Sequence, residues 1–184
     1  PSTECTASSD VTNNAEHCGV CGHSCRGAAC AEGVCAPTVV MTGLSSPHGL
    51  AIGGTELYVA NNNSGVIVRT PKDGPYAAPI DVFPTGQAPR ALAFSGDRLY
   101  WPEQLKLRSV KTDGTGDVDR PLVQGSGTAV VVADQRVYFN EIGNGGAIWS
   151  APLSLADEQI EAGAAPGSIG IAADSDYVYW TENN

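Results

Sequence analysis

The apolar positions of this chain fall into short runs, and the runs repeat. Leu57-Tyr58-Val59, Leu99-Tyr100-Trp101, Val137-Tyr138-Phe139 and Val178-Tyr179-Trp180 recur at intervals of roughly 40 residues. A second column moves in step with the first: Gly49-Leu50-Ala51, Ala91-Leu92-Ala93, Ala129-Val130-Val131 and Gly170-Ile171-Ala172 each precede a tyrosine by the same distance. After three of the tyrosines a further apolar stretch follows, in Val66-Ile67-Val68, Leu105-Lys106-Leu107-Arg108-Ser109-Val110 and Ala147-Ile148-Trp149. Runs this short, bounded by Gly, Asp and Asn, are strands and not helices. Each repeat thus predicts an inner strand (49–52, 91–94, 129–132, 170–173), then a tight turn at Gly53-Gly54, Gly96-Asp97, Asp134-Gln135 or Asp174-Ser175, then a second strand carrying the tyrosine.

A period of about 40 residues built from short strands is that of a β-propeller blade. Consecutive apolar residues such as Leu57-Tyr58-Val59 fit that architecture, because a blade sandwiched between neighbours buries both faces. Gly and Ala are concentrated in the inner strand, where strands converge on the axis, and bulky aromatics lie one strand further out. Lys72-Asp73-Gly74 and Thr112-Asp113-Gly114 predict turns into outer strands at 80–83 and 120–123, and prolines there suit an unpaired edge. The expected fold is all-β: a propeller of four-stranded blades with repeats near 47–87, 88–126, 127–165 and 166–184, about three and a half blades in this chain. Trp101 and Trp180 fall in columns expected to be buried. Since propellers close with about 4 to 8 blades, the ring is expected to be completed by the rest of a longer chain or by a homo-oligomer. In the second case residues 38–41 of a partner are a candidate outer strand.

All six cysteines, Cys5, Cys18, Cys21, Cys25, Cys30 and Cys35, lie at the start of the chain. This divides it into a cysteine-rich module, 1–36, and the repeats, 37–184. The module has too few large apolar side chains for a core and needs covalent or metal staples. Six cysteines allow up to three disulfides in about 15 pairings. Zinc is the alternative, with Cys18, Cys21 and Cys25 beside His17 and His23. An even cysteine count favours disulfides and an oxidising compartment, and no βαβ context surrounds Cys18 and Cys21 to make them a redox pair.

The cysteine spacing, with Asp10, Asn13, His17-Cys18-Gly19-Val20-Cys21-Gly22 and Gly33-Val34-Cys35, resembles the stigma-specific Stig1-type pattern found in predicted surface proteins of myxobacteria. That resemblance implies a secreted, periplasmic or cell-surface protein with a small disulfide-bonded interaction module. The repeats resemble the YWTD and NHL class of propellers, most directly in Tyr100-Trp101-Pro102-Glu103 and Tyr179-Trp180-Thr181-Glu182. Asn61, Glu103, Glu141 and Glu182 stand where the YWTD pattern has its aspartate. The aromatic-x-x-Glu strands are also similar to those of streptogramin lyases, which implies a metal-assisted lyase or lactonase as the enzyme alternative.

Charge narrows the choice of partner. The formal net charge is −10, from 20 acids and 10 bases. Without a basic cluster there is no surface to neutralise phosphates, so nucleic acid and anionic membranes are not expected partners. No apolar run is long enough to span a bilayer, and the chain opens at Pro1 without a leader pattern, as after processing or trimming.

Propeller ligands bind at the mouth of the axial channel, so the residues leading into the inner strand and leaving the second strand are the candidates. The leading column reads His48, Arg90, Thr128, Ile169, and the trailing column Asn61, Glu103, Glu141, Glu182. Three carboxylates around one axis could hold Ca²⁺, which takes several oxygen ligands, or simply cap loop corners. His48, the only histidine in the repeats, could serve as an acid or base. Asn61, Asn62 and Asn144 sit in Asn/Gly loops suited to glycan hydroxyls or to tight turns. The function expected is non-catalytic: a secreted protein whose propeller loops bind a protein or carbohydrate partner.

Overall fold

The computed structural model describes residues 10–74, 79–85, 88–123 and 125–183. Its contacts divide the chain into two units, with the division between Val40 and Met41.

The first unit is held by disulfides. Cys18 is bonded to Cys30 and Cys25 to Cys35, and Cys21 is disulfide-bonded as well; Cys5 lies outside the described residues. Sulfur is therefore committed to covalent pairs, and zinc ligation through Cys18 and Cys25 is not what the geometry supports. The two histidines have other employment. His17 is buried and its Nδ1 accepts from the Gly22 amide at 3.0 Å, and His23 Nδ1 lies 2.7 Å from the Cys18 carbonyl. Asp10 Oδ1 accepts from the Thr12 amide at 2.8 Å and the Asn13 amide at 3.2 Å, folding the first described turn. A two-stranded hairpin, β1 (Cys30–Ala31) with β2 (Val34–Cys35), closes the unit. Gly19 is required where it stands, at φ +74° with its Cα facing the Gly33 carbonyl; a Cβ there would meet that oxygen at 2.5 Å.

The second unit is three four-stranded antiparallel blades and half of a fourth. Blade 1 comprises β3 (Pro47–Gly53), β4 (Glu56–Asn61), β5 (Val66–Pro71) and β6 (Ile80–Pro84). Blade 2 comprises β7 (Ala93–Ser95), β8 (Arg98–Pro102), β9 (Lys106–Lys111) and β10 (Val118–Pro121). Blade 3 comprises β11 (Val130–Ala133), β12 (Arg136–Glu141), β13 (Ala147–Pro152) and β14 (Gln159–Gly163). The half-blade is β15 (Ser168–Ala173) with β16 (Val178–Glu182). Each sheet is a meander in which every strand pairs with its sequence neighbour, and the sheets do not close into a ring.

The core lies between blades. Leu99 and Trp101 of β8 point back onto Tyr58, Ile67 and Phe83 of blade 1, with the Phe83 and Trp101 rings stacked at 6.2 Å. Tyr100, between them, points forward into a second cluster with Val130, Val137 and Phe139 of blade 3, and its hydroxyl donates to the Leu153 carbonyl at 3.1 Å. The tyrosine column thus faces the next blade and its neighbours face the previous one. This polarity leaves two uncovered faces. On blade 1 the backward-facing Leu50 and Ile52 are both 64% exposed; on the half-blade Tyr179 is 52% exposed, where Tyr100 is fully buried. Trp180, expected to be buried, is 37% exposed, since a half-blade without outer strands does not cover it.

Local departures from the expected strands are few. The outer strand of blade 2 starts at Val118, two residues early, and the inner strand of blade 2 is only Ala93–Ser95. The last hairpin turns at Ser175-Asp176, one residue later than expected: the Asp174 amide bonds to the Tyr177 carbonyl across them. Residues 38–41 form no strand within the chain, and Val39 is exposed.

Candidate functional site

The inner strands approach one another closely enough to exclude side chains. A Cβ on Gly49 would stand 2.7 Å from the Ala91 Cα, so glycine lets the first strand lie against the second. Where the strands begin, His48, Arg90, Thr128 and Ile169, one residue from each repeat, line a single cavity of ≈ 620 Å³. Its remaining walls are Gly49, Ala91, Ile142, Gly167, Ser168 and Asn183. The size suits a ligand of small-molecule dimensions.

A backbone irregularity accompanies the first and last members of this column. In blade 1 the pairing slips between Pro47 and Leu50, so that His48 and Gly49 together face Ala60; in the half-blade it slips between Ser168 and Ile171, and Ile169 and Gly170 face Thr181. Such bulges turn a side chain out of the strand's ordinary alternation. Facing residues satisfy the extra amides where they can. Asn140 Oδ1 accepts from both Thr128 N, at 2.9 Å, and Ala129 N, at 2.8 Å, and Thr181 Oγ1 accepts from Gly170 N at 3.2 Å. The corresponding residues of the first two blades, Ala60 and Pro102, offer no side-chain acceptor to the amides of His48-Gly49 and Arg90-Ala91.

Asn140 was not foreseen as a site residue. It is fully buried, and its Nδ2 donates to Thr128 Oγ1 at 2.8 Å and to the Ser168 carbonyl at 2.7 Å, which ties blade 3 to the half-blade beneath the cavity. The available signal was a polar residue between Phe139 and Glu141 in a column otherwise occupied by Ala60, Pro102 and Thr181.

The trailing column does not line the cavity. Asn61 is buried, accepting from the Ser45 amide at 2.6 Å and donating to Ser64 Oγ at 3.1 Å. Glu141 is buried and its Oε1 accepts from the Val123 amide at 2.9 Å. Glu103 is buried too: Oε1 accepts from the Trp101 indole at 2.8 Å and faces Arg108 Nη1 at 3.3 Å, and the Arg108 guanidinium lies over the Trp101 ring and pairs with Asp117. Glu182 repeats the Trp-x-Glu contact on the exposed half-blade, with Trp180 Nε1 donating at 2.9 Å. These groups cap loops and indoles, and the structure does not gather the three carboxylates where an axial Ca²⁺ would sit. Asn62 Nδ2 donates to the Pro89 carbonyl at 3.0 Å, joining the first two blades, and Asn144 is an exposed turn residue at φ 44°. His48 is exposed, with Ser46 Oγ 3.4 Å from its Nε2.

No protein-family model and no curated protein sequence matches the chain. Solved structures do. It is similar to a chain of the nidogen/laminin complex, with 13% identity and TM-score 0.58 over 75% of this chain and 72% of that one. It is also similar to the computationally designed Ika4 protein, with 12% identity and TM-score 0.66 over 80% and 93% of the two chains. Virginiamycin B lyase from Staphylococcus aureus gives 19% identity and TM-score 0.59 over 75% of this chain, which spans about half (49%) of the lyase. At these identities the likeness is one of fold, and it agrees with the blades described above.

Proposed function

We propose that this chain is a non-catalytic binding protein of an oxidising compartment, secreted or at the cell surface, which holds part of a protein or carbohydrate partner at the axial end of its propeller. The observation that carries the reading is the convergence of one leading residue from every repeat on a single cavity with a polar rim. The cavity offers hydroxyls, an amide, an imidazole and a guanidinium for recognition, and among the described residues no carboxylate lines it to pair with His48 as acid and base. Disulfides support the compartment, because such bonds persist where thiols are not kept reduced. A nidogen/laminin neighbour supports partner binding by this architecture, and a virginiamycin B lyase neighbour supports turnover as the second reading. Screening the full chain against glycan and peptide libraries distinguishes them. Saturable binding that is lost in Thr128→Tyr, which fills the cavity, and that leaves the ligand unchanged by mass supports the first; consumption of the ligand overturns it.

The same reading includes completion of the ring. The uncovered Tyr179 and the uncovered Leu50 and Ile52 occupy the two columns that meet at each internal blade interface, so further blades, from a longer chain or a second copy, fit both faces. Light scattering after size exclusion reads this directly: a discrete oligomer assigns the cover to a second copy, a monomer to additional blades in the same chain.

A further inference from the structure

We propose that the cavity recognises an oxyanion on its ligand, a carboxylate or phosphate group bound by Arg90 and His48 where the first two inner strands begin. This rests on the binding reading above and names the chemistry it uses. Two observations converge. Arg90 lines the cavity, and among the described residues it forms no ion pair, whereas Arg108 is committed to Glu103 and Asp117. Among the described residues no Asp or Glu lines the cavity, although the chain carries 20 acids. A guanidinium meets a planar oxyanion with charge-assisted, two-pronged bonds, and an imidazole beside it adds a further donor. Thr128, Ser168 and Asn183 then face the uncharged remainder of the ligand.

The test is an amide chemical-shift titration of the full, oxidised chain with inorganic phosphate, D-glucuronate and D-glucose, sodium chloride holding ionic strength constant. Saturable shifts centred on Gly49 and Ala91 are expected with phosphate and glucuronate and none with glucose. Arg90→Gln, a change at an exposed position, should weaken both by about tenfold or more, with Lys111→Gln unchanged as the control cation. A larger response to glucuronate than to phosphate identifies a carboxylate as the group preferred. The proposal is overturned if Arg90→Gln binds as tightly as the parent, or if glucose shifts Gly49 and Ala91 as strongly as glucuronate; that second result leaves the binding reading standing. If no oxyanion shifts the cavity residues the proposal also fails, and the library screen then decides whether the binding reading fails with it.

Discussion

At the scale of single residues, the decisive side chains are those that face another blade. Asn140 has both amide atoms engaged in a buried setting, so removing it strands the Thr128 and Ala129 amides and the Ser168 carbonyl at once. Asn140→Leu is expected to cost about 2–4 kcal/mol, since each unsatisfied buried group costs about 1–3 kcal/mol; urea denaturation followed by circular dichroism measures it. Tyr58 and Tyr100 provide a pH signature. Burial pushes both phenols above their ordinary ionisation range, that is, the folded state resists loss of the proton more than the unfolded chain does. The sign follows: their contribution is fully present below a pH of about 10, where the unfolded phenols are neutral, and is lost as pH rises through the higher folded values. Melting temperature should therefore fall steeply on the alkaline side. In a Tyr58→Phe, Tyr100→Phe double variant the fall should flatten, whatever the variant's starting stability.

Elements show how far a repeating pattern can be read without coordinates. The tyrosine column located every second strand, and Gly96-Asp97 and Asp134-Gln135 are turns as their chemistry requires; Asp134 and Gln135 both take positive φ. Fold class was legible because burial on two faces is written into consecutive apolar residues such as Leu99-Tyr100-Trp101. What stayed hidden depends on neighbours. Trp101 and Trp180 share a Tyr-Trp-x-Glu local pattern and the same indole-to-Glu bond, yet one is fully buried and the other is not, because only Trp101 has a complete blade around it. Register alone aligned the leading residues that line the cavity, while the trailing carboxylates were not separable from them: both lie at strand ends, and which set lines the cavity depends on the packed blades. Close packing of inner strands is equally a property of the assembled pair. Gly49→Ala should push β3 off the Ala91 backbone and destabilise the protein by about 1–3 kcal/mol, read as a lower melting temperature.

For the molecule as a whole, the two units rely on different forces. Disulfides closing loops of sequence separation 12 and 10 hold the first unit, whereas apolar clusters between blades hold the second. Reduction with dithiothreitol is expected to unfold residues 10–40 and to leave the β-sheet circular dichroism of 41–184 in place; loss of both signals together would show that the blades depend on the cystine unit. Within the second unit, every strand ladder stays inside its own blade, and only side chains cross from one blade to the next. Opening one sheet therefore breaks no ladder bond in its neighbour, and amide hydrogen exchange should resolve into steps. Deuterium should enter β15 and β16 first, lacking outer strands and a forward cover, and the strands of blade 2 last, as the blade with a complete blade on each face. An array joined in this way loses its order from its open faces inward, and the amides of blade 2 become the clock against which any covering partner can be timed.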